Sequence, residues 1–177
     1  MNENVGEITK KLVCENEKYQ SKFYKDFPNH IKGQSPQIAV LSCADSRVVP
    51  EYIFGADIGD LFVVRIAGNI AVDNTVITSL EYAVENLPIR KLIILGHTQC
   101  GAVKAAEKSA NSQNILIQEI CESFSLDEKN HVRANLLYQL KQLPHRSEVI
   151  SRAISNHKLE LLGAIYDLQN GRVKFLD

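Results

Sequence analysis

Cys43, His97 and Cys100 each carry a metal-ligating side chain, and each sits where an apolar run of the chain gives way to polar residues. His97-x-x-Cys100 places two donors across a turn, close enough to reach one ion. By themselves a His and a Cys at this spacing are more often structural. Cys43 closes a different apolar run, Ile38 to Leu41, and brings a third donor. Zinc accepts Cys and His tetrahedrally, and three protein ligands with a fourth position open describe a catalytic site rather than a closed structural one. The plainer reading of Cys43 is a small buried hydrophobe, as free Cys often is.

Asp45 and Arg47 alternate with Cys43. Two charges at the mouth of a buried strand are costly unless paired. As a surface ion pair they contribute little. Beside a metal they do more, because a carboxylate kept ionised and oriented by a guanidinium can accept a hydrogen bond from an attacking oxygen. The neighbouring metal candidates favour that second reading. Gly96 and Gly101 flank the ligand segment, which predicts close backbone approach or unusual dihedrals there. Cys14, in an N-terminal helical pattern, and Cys121, among Ile115, Ile117 and Ile120, read as core or interface packing residues. His30, His131, His145 and His157 lie in polar segments, and none is assigned a role.

The elements that position these groups follow from apolar patterning. Runs at Ile38–Leu41, Leu61–Ile66 and Leu92–Leu95 read as buried strands, each ending in a polar or glycine-containing cluster. Between the second and third, Val76, Ile77, Leu80, Ala83, Val84 and Leu87 fit one helix face, with Asp73 or Asn74 as N-cap and Pro88 as stop. Helical patterns fill Ala102–Ser155, with breaks near Ser109–Asn114, at Leu126-Asp127 and at Pro144. A fourth strand, Leu159–Tyr166, leads through Asn170-Gly171, a hairpin signal, to Arg172–Leu176. Val5, Ile8, Leu12, Tyr19 and Phe23 mark an amphipathic N-terminal helical arm over about residues 1–27, ended by Phe27-Pro28-Asn29. The fold class is therefore α/β: a four-stranded, mainly parallel β-sheet with an additional antiparallel edge strand, flanked by helices. Ligands of such sheets sit beyond the carboxyl ends of the strands, where Cys43, Asp45, Arg47, His97 and Cys100 would meet.

A chain of 177 residues with 45% apolar and 23% charged residues folds as one domain with its own core. Its net charge of -1 and lack of a basic run exclude a nucleic-acid footprint. The first thirty residues carry charges throughout, which is unlike a signal peptide or membrane anchor, so the expected location is cytoplasmic. Four cysteines then read as thiols or ligands rather than a disulfide framework.

Cys43-Ala44-Asp45-Ser46-Arg47, Ala67-Gly68-Asn69 and His97-Thr98-Gln99-Cys100-Gly101-Ala102 together resemble the signature set of β-class carbonic anhydrases, in order and in approximate spacing. The resemblance runs from about Gln34 to Asp167. It implies reversible hydration of CO2 to bicarbonate at a Zn2+ ion held by Cys43, His97 and Cys100, with Asp45 and Arg47 as the catalytic dyad. It implies Gln34, Phe62, Tyr82 and Gly101 as substrate-pocket residues. It also implies a homodimer or higher oligomer with the pocket shared across the interface. Some bacterial members swing the counterpart of Asp45 onto the metal as a fourth ligand; the Trp that accompanies that closed state is absent from this chain, which favours an open site. Related enzymes on the same fold hydrolyse carbonyl sulfide or carbon disulfide, and a non-catalytic zinc or bicarbonate-binding protein is the rival from another class.

Overall fold

The computed structural model describes residues 5–23, 31–109 and 112–176. They fall into two units, Met1–Gln34 and Ser35–Asp177. In the first, helix α1 spans Val5–Phe23, as its apolar spacing predicts. Ile8, Leu12 and Val13 on it remain exposed, and so does Cys14, which is therefore not a core residue of its own chain. Residues 24–30, including the expected stop at Phe27-Pro28-Asn29 and also His30, lie outside the described residues.

The second unit is built on one sheet with strand order β2-β1-β3-β4-β5. Strands β1 (Ile38–Ser42), β2 (Leu61–Arg65), β3 (Lys91–His97) and β4 (Glu160–Tyr166) run parallel, and β5 (Val173–Phe175) pairs antiparallel to β4. Alternate residues of β1 face opposite ways, as the pleat requires. Ala39 and Leu41 join a large core with Leu80, Ala83, Leu136, Leu143 and Ile150, whereas Val40 joins a smaller one with Val48, Ile93, Leu95 and Ala164. The large core is roofed by α3 (Asn74–Asn86), α6 (His131–Arg146) and α7 (Glu148–Ser155). The other face takes the short helix α2 (Pro50–Phe54). Five residues are too few for a periodic signal, although Pro50 at its start and Gly55 at its end (φ 61°) are ordinary helix punctuation.

Asp73 caps α3 through the Thr75 amide, and the helix ends one residue before Leu87-Pro88, where the proline disfavours helical backbone in the residue before it. Helices α4 (Gly101–Lys108) and α5 (Ile115–Ser123) precede α6. The expected break at Pro144 moves. That proline sits in the last turn of α6, and the chain changes direction at Ser147, whose backbone is extended and whose side-chain oxygen accepts the Ile150 amide, starting α7. The Asn170-Gly171 hairpin is present, but Asp167 and Arg172 pair across a longer loop with Gly171 left-handed (φ 71°). The Asp167 carboxylate accepts from the Gln169 amide and the Asn170 side chain, which fills that loop.

Candidate metal centre

β1 and β3 are direct neighbours, with Ser42 in register with Leu95. Cys43 leaves the end of β1, while β3 runs two residues further, so His97 is the last residue of the strand rather than part of the following turn. Thr98 and Gln99 turn the chain, Gln99 in the left-handed region (φ 57°), and Cys100 stands at the N-cap of α4. The unusual backbone predicted for Gly96 and Gly101 falls elsewhere: on Gln99, and on Gly68 (φ 75°) and Asn69 (φ 48°) of the Ala67–Asn69 turn. Gly96 meets only ordinary contacts, and nothing lies within 4 Å of where a Cβ on Gly101 would project.

The donor atoms of Cys43, His97 and Cys100 lie within 4.8 Å of one another, and all three residues are buried. The two sulfurs are 3.9 Å apart. Two thiolates on one tetrahedral zinc, each at about 2.3 Å, stand roughly 3.8 Å apart. His97 Nδ1 is 3.0 Å from the Thr98 carbonyl, so it carries the proton and donates it, leaving a lone pair on Nε2. That Nε2 is fully buried with no hydrogen-bond partner. A buried orphan acceptor costs stability, on the order of 1–3 kcal/mol, and here it faces two sulfurs. Without a metal the sulfurs share a proton: the Cys100 thiol and the Gly68 amide pull the Cys43 thiol well below its ordinary range against the effect of burial. Cys100 is pushed up in turn, by its hydrogen bond to Cys43 and by burial. A cation that replaces that proton and takes the Nε2 lone pair satisfies all three groups at once, so the residues present fit zinc.

Asp45 lies beside this cluster, its Oδ2 3.9 Å from His97 Nε2. Arg47 grips it bidentately, Nε to Oδ1 at 2.9 Å and Nη2 to Oδ2 at 2.7 Å, and the Arg47 amide adds a third bond to Oδ1 at 3.0 Å. These bonds hold the Asp45 carboxyl far below the usual carboxylate range. Arg65 is a further member that sequence reasoning passed over. From the end of β2 its Nε donates to the Cys43 carbonyl at 3.3 Å and its Nη2 to the Asp45 carbonyl at 2.8 Å, fixing the backbone between ligand and carboxylate. The signal was available, since Arg65 is a charge ending an apolar strand, as Asp45 and Arg47 follow another.

Phe62 and Tyr82 are brought together, with ring centroids 6.4 Å apart, but not at the metal donors of their own chain. Phe62 pairs in register with Ala39, four residues before Cys43, or roughly 13 Å back along a strand. Tyr82 is exposed. Gln34 is exposed and belongs to the N-terminal unit. Cys121 packs beside the cluster and its thiol points to the Ala106 carbonyl at 3.6 Å, in keeping with a packing role.

An open α/β sheet carrying a Cys-His-Cys donor set and a clamped carboxylate at its carboxyl edge defines a metal-dependent enzyme. Known proteins narrow this. The carbonic anhydrase family model matches residues 38–173. Carbonic anhydrase 2 of Mycobacterium tuberculosis is 34% identical over 163 residues, covering 82% of this chain and 76% of that protein. The carbonic anhydrase of Pseudomonas aeruginosa is 32% identical over 167 residues, covering 81% and 74%. Among solved structures, a tetrameric β-carbonic anhydrase of the ascomycete Sordaria macrospora superposes with a TM-score of 0.79 at 26% identity, covering 96% of each chain. This chain belongs to the β-carbonic anhydrase family.

Proposed function

We propose that the chain hydrates CO2 reversibly to bicarbonate and a proton, with zinc held by Cys43, His97 and Cys100 and with Asp45 and Arg47 as its catalytic pair. The observation that carries this reading is the buried, unpartnered Nε2 of His97, set against two sulfurs 3.9 Å apart with a guanidinium-clamped carboxylate alongside. Zinc, when bound, supplies Lewis-acid activation of water at neutral pH. The chain supplies orientation. Oδ1 of Asp45 is taken up by two bonds from Arg47, whereas Oδ2, on the His97 side, accepts only one and has a lone pair left. Oδ2 accepts a hydrogen bond from the attacking water, turns the oxygen lone pair toward the CO2 carbon, and stays ionised because Arg47 neutralises it. Arg65 holds the backbone of this pair in place. The bidentate grip of Arg47 holds the Asp45 carboxylate in place, which favours the open arrangement over one with Asp45 as a fourth ligand.

Gly101 serves the substrate pocket by leaving space in front of α4. Phe62 and Tyr82 line the pocket of a second copy, which is supported by their distance from the donors of their own chain and by the tetrameric relative. The exposed apolar residues of α1 support self-association. No helix among the described residues is long and apolar enough to cross a membrane, and the thiol ligands suit a reducing cytoplasm. Stopped-flow CO2 hydration on metal-analysed protein tests the proposal. Turnover that rises in proportion to zinc content is expected; stoichiometric zinc without hydration at any pH overturns it.

A further inference from the structure

The sulfur of Cys43 accepts a hydrogen bond from the Gly68 amide at 3.3 Å, and the segment that carries this amide is held by residues far from it in sequence. Gly68 is left-handed, and a Cβ there would come within 2.7 Å of Ile120 Cδ1, so the backbone lies close against α5. Its carbonyl accepts from Asn135 Nδ2 at 2.8 Å. Three residues on, Gln139 Oε1 accepts the Ala71 amide at 2.8 Å and Arg146 donates to the Ala71 carbonyl at 2.9 Å. Asn135, Gln139 and Arg146 recur at four and seven residues along α6, which puts them on one face. Asn135 and Gln139 are essentially inaccessible to solvent. Gln139 and Arg146 both donate to Glu119 of α5, which ties the far end of the clamp to a second helix. None of these four residues is among the three metal donors.

We propose that Asn135 is a positioning residue for the metal centre: by holding the Gly68 carbonyl it fixes the turn whose amide caps the Cys43 sulfur, and so sets how much charge Cys43 gives to the bound metal. The inference rests on the zinc site described above but not on the reaction run there. An N–H donor on a thiolate withdraws electron density from sulfur. Without it the sulfur is a stronger electron donor and its charge-transfer absorption to a metal moves to lower energy. The outer partners of metal ligands also hold them ready for binding, and their loss typically costs about 10- to 100-fold in affinity.

The test replaces zinc with Co2+ and reads the thiolate-to-cobalt absorption bands in wild type, Asn135→Asp, Asn135→Ser and Ser147→Ala. Aspartate keeps the shape of Asn135 without its donor, serine is too short to reach Gly68, and Ser147→Ala disturbs a buried cap elsewhere. Both Asn135 variants are expected to shift the bands to longer wavelength and to weaken zinc, measured by competition with a chelator, by about 10- to 100-fold. Ser147→Ala is expected to leave the spectrum unchanged even where it lowers Tm. Wild-type cobalt bands and zinc affinity in a folded Asn135 variant overturn the proposal, as does an equal shift in Ser147→Ala. A measurement that needs no variant guards against misfolding: in the 113Cd-substituted wild-type protein, scalar coupling between cadmium and the Gly68 amide proton is expected, and its absence overturns the proposal. Loss of CO2 hydration in wild type, with the spectral shifts intact, would sink the functional reading and leave this one standing.

Discussion

Two of the polar clusters buried among the described residues are finished differently. Glu119, Gln139, Asn135 and Arg146 form a closed set in which Glu119 receives Arg146 through both oxygens and Gln139 as well, and the amides return their remaining groups to the Gly68–Ala71 backbone. Cys43, His97 and Cys100 are as deeply buried but stay open, with Nε2 of His97 left without a partner. Burial alone therefore does not mark function. A satisfied network holds position, whereas a buried set that lacks one partner is waiting for a ligand.

Removing a donor from the open cluster should have the largest effect. Cys100→Ser is expected to lose most of its zinc and with it the hydration activity, whereas Cys121→Ser, a few ångströms from the same core, should keep both; metal analysis and activity on the same samples decide. Equal loss in the two variants would mean the ligands are misassigned. The closed cluster should answer in stability instead. Glu119→Leu strands Arg146 and Gln139 and is expected to cost about 3 kcal/mol in urea unfolding, with part of it recovered when Arg146→Met is added. Asp45→Asn lies between the two kinds of site. At equal zinc content kcat/KM should fall by about 100-fold or more while Tm barely moves.

Ser147→Ala should cost about 1 kcal/mol, as buried helix caps do, with no change in zinc content. The smallest effect is one of pH. Bonds from the Thr75 hydroxyl and amide hold Asp73 below the usual carboxylate range. A carboxyl lowered by folding adds stability above its unfolded pKa and loses it as pH falls through the folded value. The gap in urea midpoint between wild type and Asp73→Ala should thus be full at neutral pH and narrow below about pH 4. A gap that widens on acidification would contradict the cap.

The strands and the three donors were legible in the sequence because buried parallel strands are short apolar runs and their ends mark the ligand side. The parallel sense of the four strands and the antiparallel edge strand followed from the same pattern, whereas their order in the sheet did not. What could not be read came from contacts between distant segments. The clamp from α6 onto Gly68 involves ordinary-looking Asn135 and Gln139 in a helical pattern, and only the fold shows which backbone they meet. Gly96 and Gly101 misled for a related reason: glycine permits a left-handed backbone without requiring it, and the turn geometry placed that conformation on Gln99 and Asn69 instead. Pro144 misled because the helix carries it in its last turn and ends only at Arg146, two residues later.

The register of β1 against β3 has a bearing on how the molecule assembles. The donors at Cys43 and His97 come from strands that are adjacent in space but separated in the chain by α2, β2 and α3. No local segment can gather all three, so metal cannot nucleate this domain in the way it templates a zinc finger. Tight capture must wait until the long loop between the two strands has closed, a slow step for non-local parallel pairing. In a refolding experiment the arrival of metal should therefore trail the formation of helix and report the moment at which the centre of the sheet is complete.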